Sequence, residues 1–189
     1  LIGIAAMAVV VTASNILVQH PFNDWLTWGA FTYPLAFLVT DLSNRWMGPA
    51  PARRVVLAGF VLAVALSIWL ATPRIAIASG TAFLVAQLLD VAVFDRLRGG
   101  RWWRAPLVSS VFGSAVDTAL FFSLAFAPAF AFLGAEARWA AERVPLLGAG
   151  PETALWISLA VGDFGVKIAL ALIALIPFRL AIGLGAARA

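Results

Sequence analysis

Long apolar runs separated by short polar connections define the pattern of this chain. An α-helix needs about 17–25 consecutive apolar residues to cross the hydrocarbon core of a bilayer. Six runs of about that length are present, at approximately 1–18, 30–46, 55–72, 75–94, 106–132 and 153–178. The pattern predicts an all-α polytopic membrane protein, in which residues 1–189 form a single transmembrane domain, one bundle of six transmembrane helices.

Proline positions agree with these boundaries, with two exceptions. Proline ends or kinks a helix because it lacks an N–H group and its ring clashes with the preceding turn. Pro34 and Pro128 lie inside predicted spans, where we expect a kink or a freed carbonyl group. The second span is also polar in its last two turns, which contain Thr40, Asp41, Ser43, Asn44 and Arg45. It forms a membrane helix only if that face looks into protein.

Composition supports the membrane assignment and excludes several kinds of site. Hydrophobic residues make up 63% of the chain and charged residues 12%, against roughly 45–50% and 25% in a soluble domain. The absence of cysteine excludes disulfides and thiolate metal sites, and a single histidine, His20, excludes a histidine-built zinc or haem site. We therefore predict no catalytic residues, no metal and no cofactor. Because the chain opens on Leu1, we expect a short N-terminal piece to precede it.

Arginine is distributed unevenly between alternate connections. The 45–54 and 95–105 connections and the C-terminal tail contain nine arginines, whereas the intervening connections contain three. The nine are Arg45, Arg53, Arg54, Arg96, Arg98, Arg101, Arg104, Arg179 and Arg188, and the three are Arg74, Arg138 and Arg143. The positive-inside rule then predicts that both termini are cytoplasmic. Because the charge follows membrane topology, we predict contact with the lipid bilayer and no nucleic-acid partner.

Five ionisable side chains lie within otherwise apolar spans: Asp41, Asp90, Asp117, Asp163 and Lys167. A charge at bilayer depth costs about 2.5–3.5 kcal/mol even on a lenient insertion scale. Such residues therefore face a bundle interior or a wet cavity, and they mark pathways and binding sites. We expect this chain to handle a polar molecule inside the membrane.

One face of the fifth span is polar, because Ser110, Ser114, Asp117 and Thr118 are spaced i, i+4, i+7 and i+8. Asp117 has no basic residue three or four positions away on its own helix. We interpret it as a carboxylate that lines a transport cavity. The alternative is a structural hydrogen bond to a neighbouring helix.

Asp163 and Lys167 have the i, i+4 spacing of an intrahelical ion pair. Lys167 would equally pair with Asp117 across the bundle. Gly162 and Asp163 resemble the Gly-Asp pair of intramembrane aspartyl proteases, but Lys167 would keep Asp163 ionised, whereas a protease dyad shares a proton. Proteolysis is therefore disfavoured, and we predict that the chain is not an enzyme.

Three further polar groups lie on the other spans. Gln87 and Asp90 share a face of the fourth span, at i and i+3. Asp41 and Arg45 repeat the ion-pair spacing near the cytoplasmic boundary, so we interpret Asp41 as a topological or gating residue rather than a ligand. Asn15 lies near the outer end of the first span, where its amide would cap the helix or bind a hydrogen-bonding ligand.

Several short segments, taken in order, resemble one known family. They are 14–19 (SNILVQ), 27–31 (TWGAF), 37–42 (FLVTDL), Gly48, 52–54 (ARR), 74–76 (RIA), 87–91 (QLLDV), 94–98 (FDRLR), 101–103 (RWW), 112–113 (FG), 117–118 (DT), 121–122 (FF) and Lys167. Together they resemble the bacterial queuosine precursor transporters, from Ser14 through the sixth span. The connection between the third and fourth spans is shorter here, and the outer connection before the sixth is longer.

The resemblance implies an inner-membrane importer of 7-deazaguanine bases, such as 7-cyano- and 7-aminomethyl-7-deazaguanine, for tRNA modification. Transport would be secondary or facilitated, in a fold similar to the substrate-binding subunits of energy-coupling-factor vitamin transporters. The alternatives are a capture subunit that needs a separate ATPase module and, less favoured, an intramembrane aspartyl enzyme. The chain itself has no Gly-Lys-Ser/Thr phosphate loop. A homodimer and a coupling module both remain compatible with the sequence.

A guanine-like edge presents adjacent N–H donors, which a carboxylate accepts in bidentate fashion, while aromatic side chains stack on the ring. We assign the anchoring to Asp117 and Asp90 and the selection of the edge to Gln87 and Asn15. The predicted substrate-binding residues are Asn15, Trp28, Phe31, Tyr33, Gln87, Asp90, Ser110, Ser114, Asp117, Phe121 and Lys167. The predicted coupling or gating residues are Asp41, Asn44, Arg45 and Asp163.

Overall fold

Seven α-helices and two short antiparallel hairpins are the regular elements of residues 1–17, 20–23, 26–134 and 138–186, which the computed structural model describes. The helices are α1 (Ile2–Leu17), α2 (Gly29–Thr32), α3 (Leu35–Met47), α4 (Pro49–Leu70), α5 (Pro73–Leu97), α6 (Arg104–Phe126) and α7 (Leu155–Ala186). The hairpins pair β1 (Pro21–Asn23) with β2 (Leu26–Thr27) and β3 (Arg143–Pro145) with β4 (Glu152–Ala154). Both lie in connections between helices, so the architecture is all-α.

Four helices in the described part of the chain are long and apolar enough to cross a membrane: α4, α5, α6 and residues Leu155–Gly183 of α7. The predicted class of polytopic membrane protein is therefore confirmed. The first predicted span is represented by α1, an apolar helix of 16 residues, and residue 18 lies outside the described residues. The second predicted span is divided into α2 and α3, as expected from Pro34 at the junction.

Prolines also explain where two predicted boundaries were wrong. The fifth span was predicted to reach residue 132, but α6 ends at Phe126 and Pro128 begins a 3₁₀ turn, because its ring cannot continue the α-helix. The third span was predicted to begin at residue 55, but α4 begins at Pro49. A proline in the first turn costs no hydrogen bond, since an N–H group there has no partner in the helix.

A single glycine joins α3 to α4. Gly48 has φ of +87°, a backbone conformation that residues with a Cβ rarely adopt, and its N–H group donates to the carbonyl of Asn44. The turn is therefore tight enough to bring α4 back against α3 without a loop. This close return keeps the polar end of α3 inside the bundle.

The outer surface of the bundle is largely apolar, and its interior contains an apolar core as well as buried polar and charged side chains. Its apolar core lies where α1, α4 and α5 meet, around Met7, Val56 and Phe83. Outward-facing positions on α4 and α7 are exposed and apolar, for example Trp69 and Leu180. The charged side chains of the spans point inward instead, which is the arrangement expected of a protein surrounded by lipid.

Candidate functional site

A cavity of about 300 Å³ lies inside the bundle, near the end at which α1 and α6 finish and α5 and α7 begin. Small-molecule sites typically enclose roughly 300–1,000 Å³. We call it the central cavity. Six residues singled out from the sequence line it: Asn15, Tyr33, Asp117, Phe121, Asp163 and Lys167. They come from four parts of the chain, namely α1, the α2–α3 junction, α6 and α7, and the fold brings them together.

The floor of the central cavity is a network around Lys167. The Lys167 ammonium donates to Asp117 Oδ2 at 2.7 Å and to Thr118 Oγ1 at 3.0 Å, and it forms a short contact with Asp163 Oδ2. Thr118 Oγ1 in turn donates to Asp163 Oδ2 at 2.7 Å. Both ion pairs considered from the sequence therefore form together. Two carboxylates against one ammonium leave this cluster with a net charge of −1.

Tyr33 extends the network to the α2–α3 junction. Its hydroxyl donates to Asp117 Oδ1 at 2.8 Å, and Lys167 Nζ lies 5.5 Å from the centre of its ring. The ring packs edge-on against Phe83, with 6.2 Å between centroids. The short break at Pro34 thus places a tyrosine at the acidic cluster, which explains why this span is interrupted where it is.

The two carboxylates differ in how much of them faces the cavity. Both oxygens of Asp117 are occupied, by Tyr33 and by Lys167, and its side chain is 5% exposed. The side chain of Asp163 is 17% exposed. Its Oδ1 receives no hydrogen bond from the residues that the structure describes, since both of its bonds go to Oδ2. Asp163 therefore presents the more available acceptor to a ligand.

Aromatic side chains from α6 form one wall of the cavity. Phe121 and Phe122 pack edge to face at 5.1 Å, and Phe126 packs against both. We call these three the aromatic wall. By contrast, Trp28 and Phe31 form a tilted pair at 6.0 Å and neither lines the cavity, so their predicted stacking role has no support from position.

A second polar cluster lies deeper, between α3, α5 and α6. Asp41 accepts hydrogen bonds from Ser109 Oγ at 3.1 Å and from Ser110 Oγ at 3.3 Å. The Asp90 carboxyl group lies beside both Asp41 and Ser109. Asp90 is fully buried and does not line the central cavity, so the structure separates it from Asp117, its predicted companion.

Gln87 and Asn44 hold α3 against α5. Gln87 Oε1 accepts from Thr40 Oγ1 at 2.6 Å, and Asn44 Nδ2 donates to the carbonyl of Val91 at 3.0 Å. Both side chains are fully buried away from the central cavity. The fold thus places Gln87 at a helix contact, not against a ligand in the cavity.

The ion pair expected between Asp41 and Arg45 was wrong. Arg45 is exposed and its Nη1 donates to the carbonyl of Arg98 at 2.9 Å, so it joins the α5–α6 connection instead. A long arginine side chain near a helix end reaches the polar surface more readily than the interior. The neighbours of the Asp41 carboxylate are therefore Ser109, Ser110 and Asp90.

A small cavity of about 10 Å³, close to the size of one water molecule, connects the two clusters. We call it the lower cavity. Asp41, Ser110, Ser114 and Lys167 line it, and Lys167 also lines the central cavity. The polar face of α6 therefore serves both cavities, its serines the lower one and Asp117 the central one.

Three functional positions were missed or left unassigned from the sequence. Thr118 was placed on the polar face but given no role, although it bridges Lys167 and Asp163. Ser109 escaped notice beside Ser110. Arg74 is buried and donates to the carbonyls of Leu124 and Ala127, which fixes the end of α6. An arginine in the two-residue connection between the third and fourth predicted spans was the available signal for that last role.

Comparison with known proteins bears on the same helices. A family model described as "Putative vitamin uptake transporter" matches residues 27–72 and 66–182. The chain belongs to this family. It is 41% identical to the "Queuosine precursor transporter" of Escherichia coli (strain K12), over 62% of this chain and 64% of that protein. The resemblance recognised from the sequence is thereby confirmed.

A second relative agrees with the first. The chain is 39% identical to the "Probable queuosine precursor transporter" of Haemophilus influenzae (strain ATCC 51907 / DSM 11121 / KW20 / Rd), over 62% of this chain and 65% of that protein. The matched part therefore spans a little under two thirds of each curated relative. No solved structure matches the chain.

Proposed function

We propose that this chain imports queuosine precursors, 7-deazaguanine bases, across the bacterial inner membrane, as an autonomous secondary or facilitated transporter. The observation that supports this most directly is the central cavity, which combines a carboxylate cluster of net charge −1 with an aromatic wall. The names of the two relatives supply the substrate class. Each feature matches one part of such a base.

The edge of the base is the part that a carboxylate recognises. Guanine-like rings present adjacent N–H donors, and an ionised carboxylate has only acceptors. Asp163 Oδ1 is the acceptor that the described residues leave open, so we assign the anchoring of the edge to Asp163. Asp117 keeps a positioning role through Tyr33 and Lys167. A cationic aminomethyl substituent would add attraction to the negative cluster.

The flat ring is the part that the aromatic wall recognises. Stacking of a base on an aromatic side chain is worth about 1–3 kcal/mol and requires a planar π-surface rather than a specific edge. Phe121 and Phe122 line the cavity together with Asn15, whose amide Nδ2 donates to the Val11 carbonyl of its own helix at 2.9 Å. The combination favours a planar heterocycle over a sugar or a peptide.

The topology that we propose has six crossings, with α2 and α3 together as the second and both termini in the cytoplasm. In this orientation the central cavity lies in the outer half of the bundle, because it is near the C-terminal end of α1. Lys167 and its carboxylates would then close the path toward the cytoplasm. A cavity accessible from outside and closed inside suits an importer that awaits its substrate.

The first test is binding of 7-cyano- and 7-aminomethyl-7-deazaguanine to the purified protein in detergent. Hydrogen bonds to charged groups contribute about 1.5–3 kcal/mol, so we expect Asp163→Asn to weaken binding at least tenfold. Asp95→Asn is the matched control, since Asp95 pairs with Arg98 at the surface, away from the cavity. Unchanged affinity in a folded Asp163→Asn protein would sink the assignment of the anchor.

The second test is uptake of the same labelled bases into liposomes that contain only this protein. Saturable uptake supports an autonomous transporter, and Asp117→Asn should then abolish it because Tyr33 and Lys167 lose their shared partner. Binding without uptake would contradict the autonomous mechanism and indicate a capture subunit that needs a coupling partner. Neither binding nor uptake would overturn the proposed substrate class.

A further inference from the structure

The carboxyl groups of Asp41 and Asp90 form a buried pair outside the central cavity. Asp41 is 2% exposed and Asp90 is 0% exposed. Asp41 already accepts from Ser109 and Ser110. Neither oxygen of Asp90 receives a hydrogen bond from a described residue, although its carboxyl group neighbours that of Asp41. A buried polar group without a donor costs about 1–3 kcal/mol, and more if it is charged.

No cation in the described part of the chain forms a salt bridge with the Asp41–Asp90 pair. On α3 itself, Arg45 turns to the Arg98 carbonyl. On α4, the arginines at 53 and 54 are exposed, and α1 has no charged residue. The surface ends of α5 and α6 contribute Asp95, Arg96, Arg98 and Arg104. On α7, Arg179 lies over the ring of Trp102, and Lys167 lines the lower cavity together with Asp41.

One proton would supply the missing donor. Two carboxylates in contact and away from water cannot both stay ionised, so such pairs share a proton. An O–H group on Asp90 that donates to Asp41 gives one of the two Asp90 oxygens a partner and leaves Asp41 as an ionised acceptor of three hydrogen bonds. A bound proton also requires no cavity, unlike a metal cation. The lower cavity has the volume of about one water molecule and is lined by Asp41 but not by Asp90, so it provides no cage for a metal cation between the two.

We propose that the Asp41–Asp90 pair binds and releases one proton in each transport cycle, so that import of the base is coupled to the inward flow of protons. This rests on the proposed function as an importer. The pair lies on the cytoplasmic side of the central cavity in the proposed orientation. The O–H bond of Asp90 breaks on the inward-facing side, and the proton passes to cytoplasmic water.

Lys167 links the proton site to the substrate site. Its ammonium contacts Asp117 and Asp163, and its side chain also lines the lower cavity together with Asp41. Substrate N–H donors at Asp163 would replace part of what Lys167 provides there. The ammonium, which remains protonated, is then available to neutralise Asp41 when Asp90 loses its proton. The positive charge of Lys167 would thus shift from one site to the other, and no carboxylate would be left without a partner.

The test uses the purified full chain in liposomes and the neutral base 7-cyano-7-deazaguanine, with the membrane potential held at zero. Two quantities are measured: accumulation driven by an inward proton gradient, and counterflow, the exchange of external labelled base for internal unlabelled base. Coupling of one proton per base predicts about tenfold accumulation for each pH unit. Counterflow needs no net proton movement, so it reports substrate binding and crossing alone.

Asp90→Asn and Asp41→Asn keep the size and polarity of each side chain, replace one acceptor oxygen by an NH2 donor, and remove the exchangeable proton site. We expect both variants to lose proton-driven accumulation and to keep counterflow, whereas Asp95→Asn keeps both. The wild-type protein alone can overturn the proposal. It would do so if accumulation did not depend on the pH gradient, or if accumulation followed a sodium gradient at equal pH. Loss of counterflow in folded Asp90→Asn protein would also overturn it, because the pair would then belong to the substrate site. Absence of counterflow in the wild type would overturn the proposed function itself.

Discussion

Lys167, the one lysine of the chain, is the residue on which the buried charges depend. Its side chain is 4% exposed and contacts Asp117, Asp163 and Thr118. Burying the ammonium is unfavourable, and two close carboxylates offset that cost. The same geometry means that each carboxylate depends on Lys167 in turn. The three side chains therefore act as a unit, whose members cannot be removed singly without leaving a buried charge unpaired.

Lys167→Met tests this dependence. Removing one member of a buried ion pair typically costs about 3–5 kcal/mol, because the partner is left buried and uncompensated. We expect a loss of that size in the free energy of unfolding, measured by denaturant titration in detergent. Arg53→Met is the control, since Arg53 is exposed on α4. Addition of Asp117→Asn to Lys167→Met should recover part of the loss; a simple sum of the two effects would contradict the network.

The individual side chains show how much of the site the sequence predicted. All five membrane-depth charges are buried or nearly so, as the cost of exposing them to lipid demands. Their partners were only partly predictable. The i, i+4 spacing gave Lys167 and Asp163, but the same spacing was misleading for Asp41 and Arg45. Spacing defines a helical face, and which face meets which neighbour depends on tertiary packing that one sequence does not contain.

At the scale of elements, the approach of α5 to α6 depends on a missing side chain. A Cβ at Gly113 would lie 2.6 Å from Phe37 Cε1 and 3.4 Å from the carbonyl oxygen of Ala86. These neighbours are the backbone of α5 and the ring of Phe37 on α3. Three helices thus meet at Gly113.

Gly113→Ala should therefore destabilise the bundle. Overpacking of a core typically costs about 1–3 kcal/mol, and here the added methyl meets an aromatic ring and a backbone that cannot easily move. Gly165→Ala is the matched control on α7, because nothing lies within 4 Å of its added Cβ. There the better helix propensity of alanine should be neutral or stabilise by up to about 1 kcal/mol. Equal melting temperatures for the two variants in detergent would contradict the close packing.

Element boundaries show why the sequence located the helices better than their ends. Apolar runs follow from burial in lipid, so the long helices were predictable from composition alone. Ends depend on local backbone chemistry. Pro49 lies outside the third predicted span although it begins α4, and residues 138–145 form a 3₁₀ turn followed by β3. The pairing of β3 with β4 joins residues seven to eleven positions apart, and helical propensity does not predict such pairing.

For the whole molecule, orientation in the membrane decides what the central cavity does. Nine arginines lie on one predicted side and three on the other, and the positive-inside rule places the richer side in the cytoplasm. The cavity then belongs to the outer half of the bundle. In the opposite orientation, the same cavity would be accessible from the cytoplasm and the chain would suit export.

Cysteines introduced one at a time can determine the orientation, because the chain has no cysteine of its own that would react. Gly99, in the α5–α6 connection, and Glu142, in the connection before α7, are both exposed and lie at opposite ends of α6. A membrane-impermeant maleimide applied to intact spheroplasts should label Glu142→Cys and not Gly99→Cys, and inverted vesicles should give the reverse. Labelling of both from one side would mean that α6 does not cross the membrane. The opposite labelling pattern would mean that the bundle has the reverse orientation. The proton of Asp90 would then leave to the outside, which is incompatible with import driven by inward proton flow.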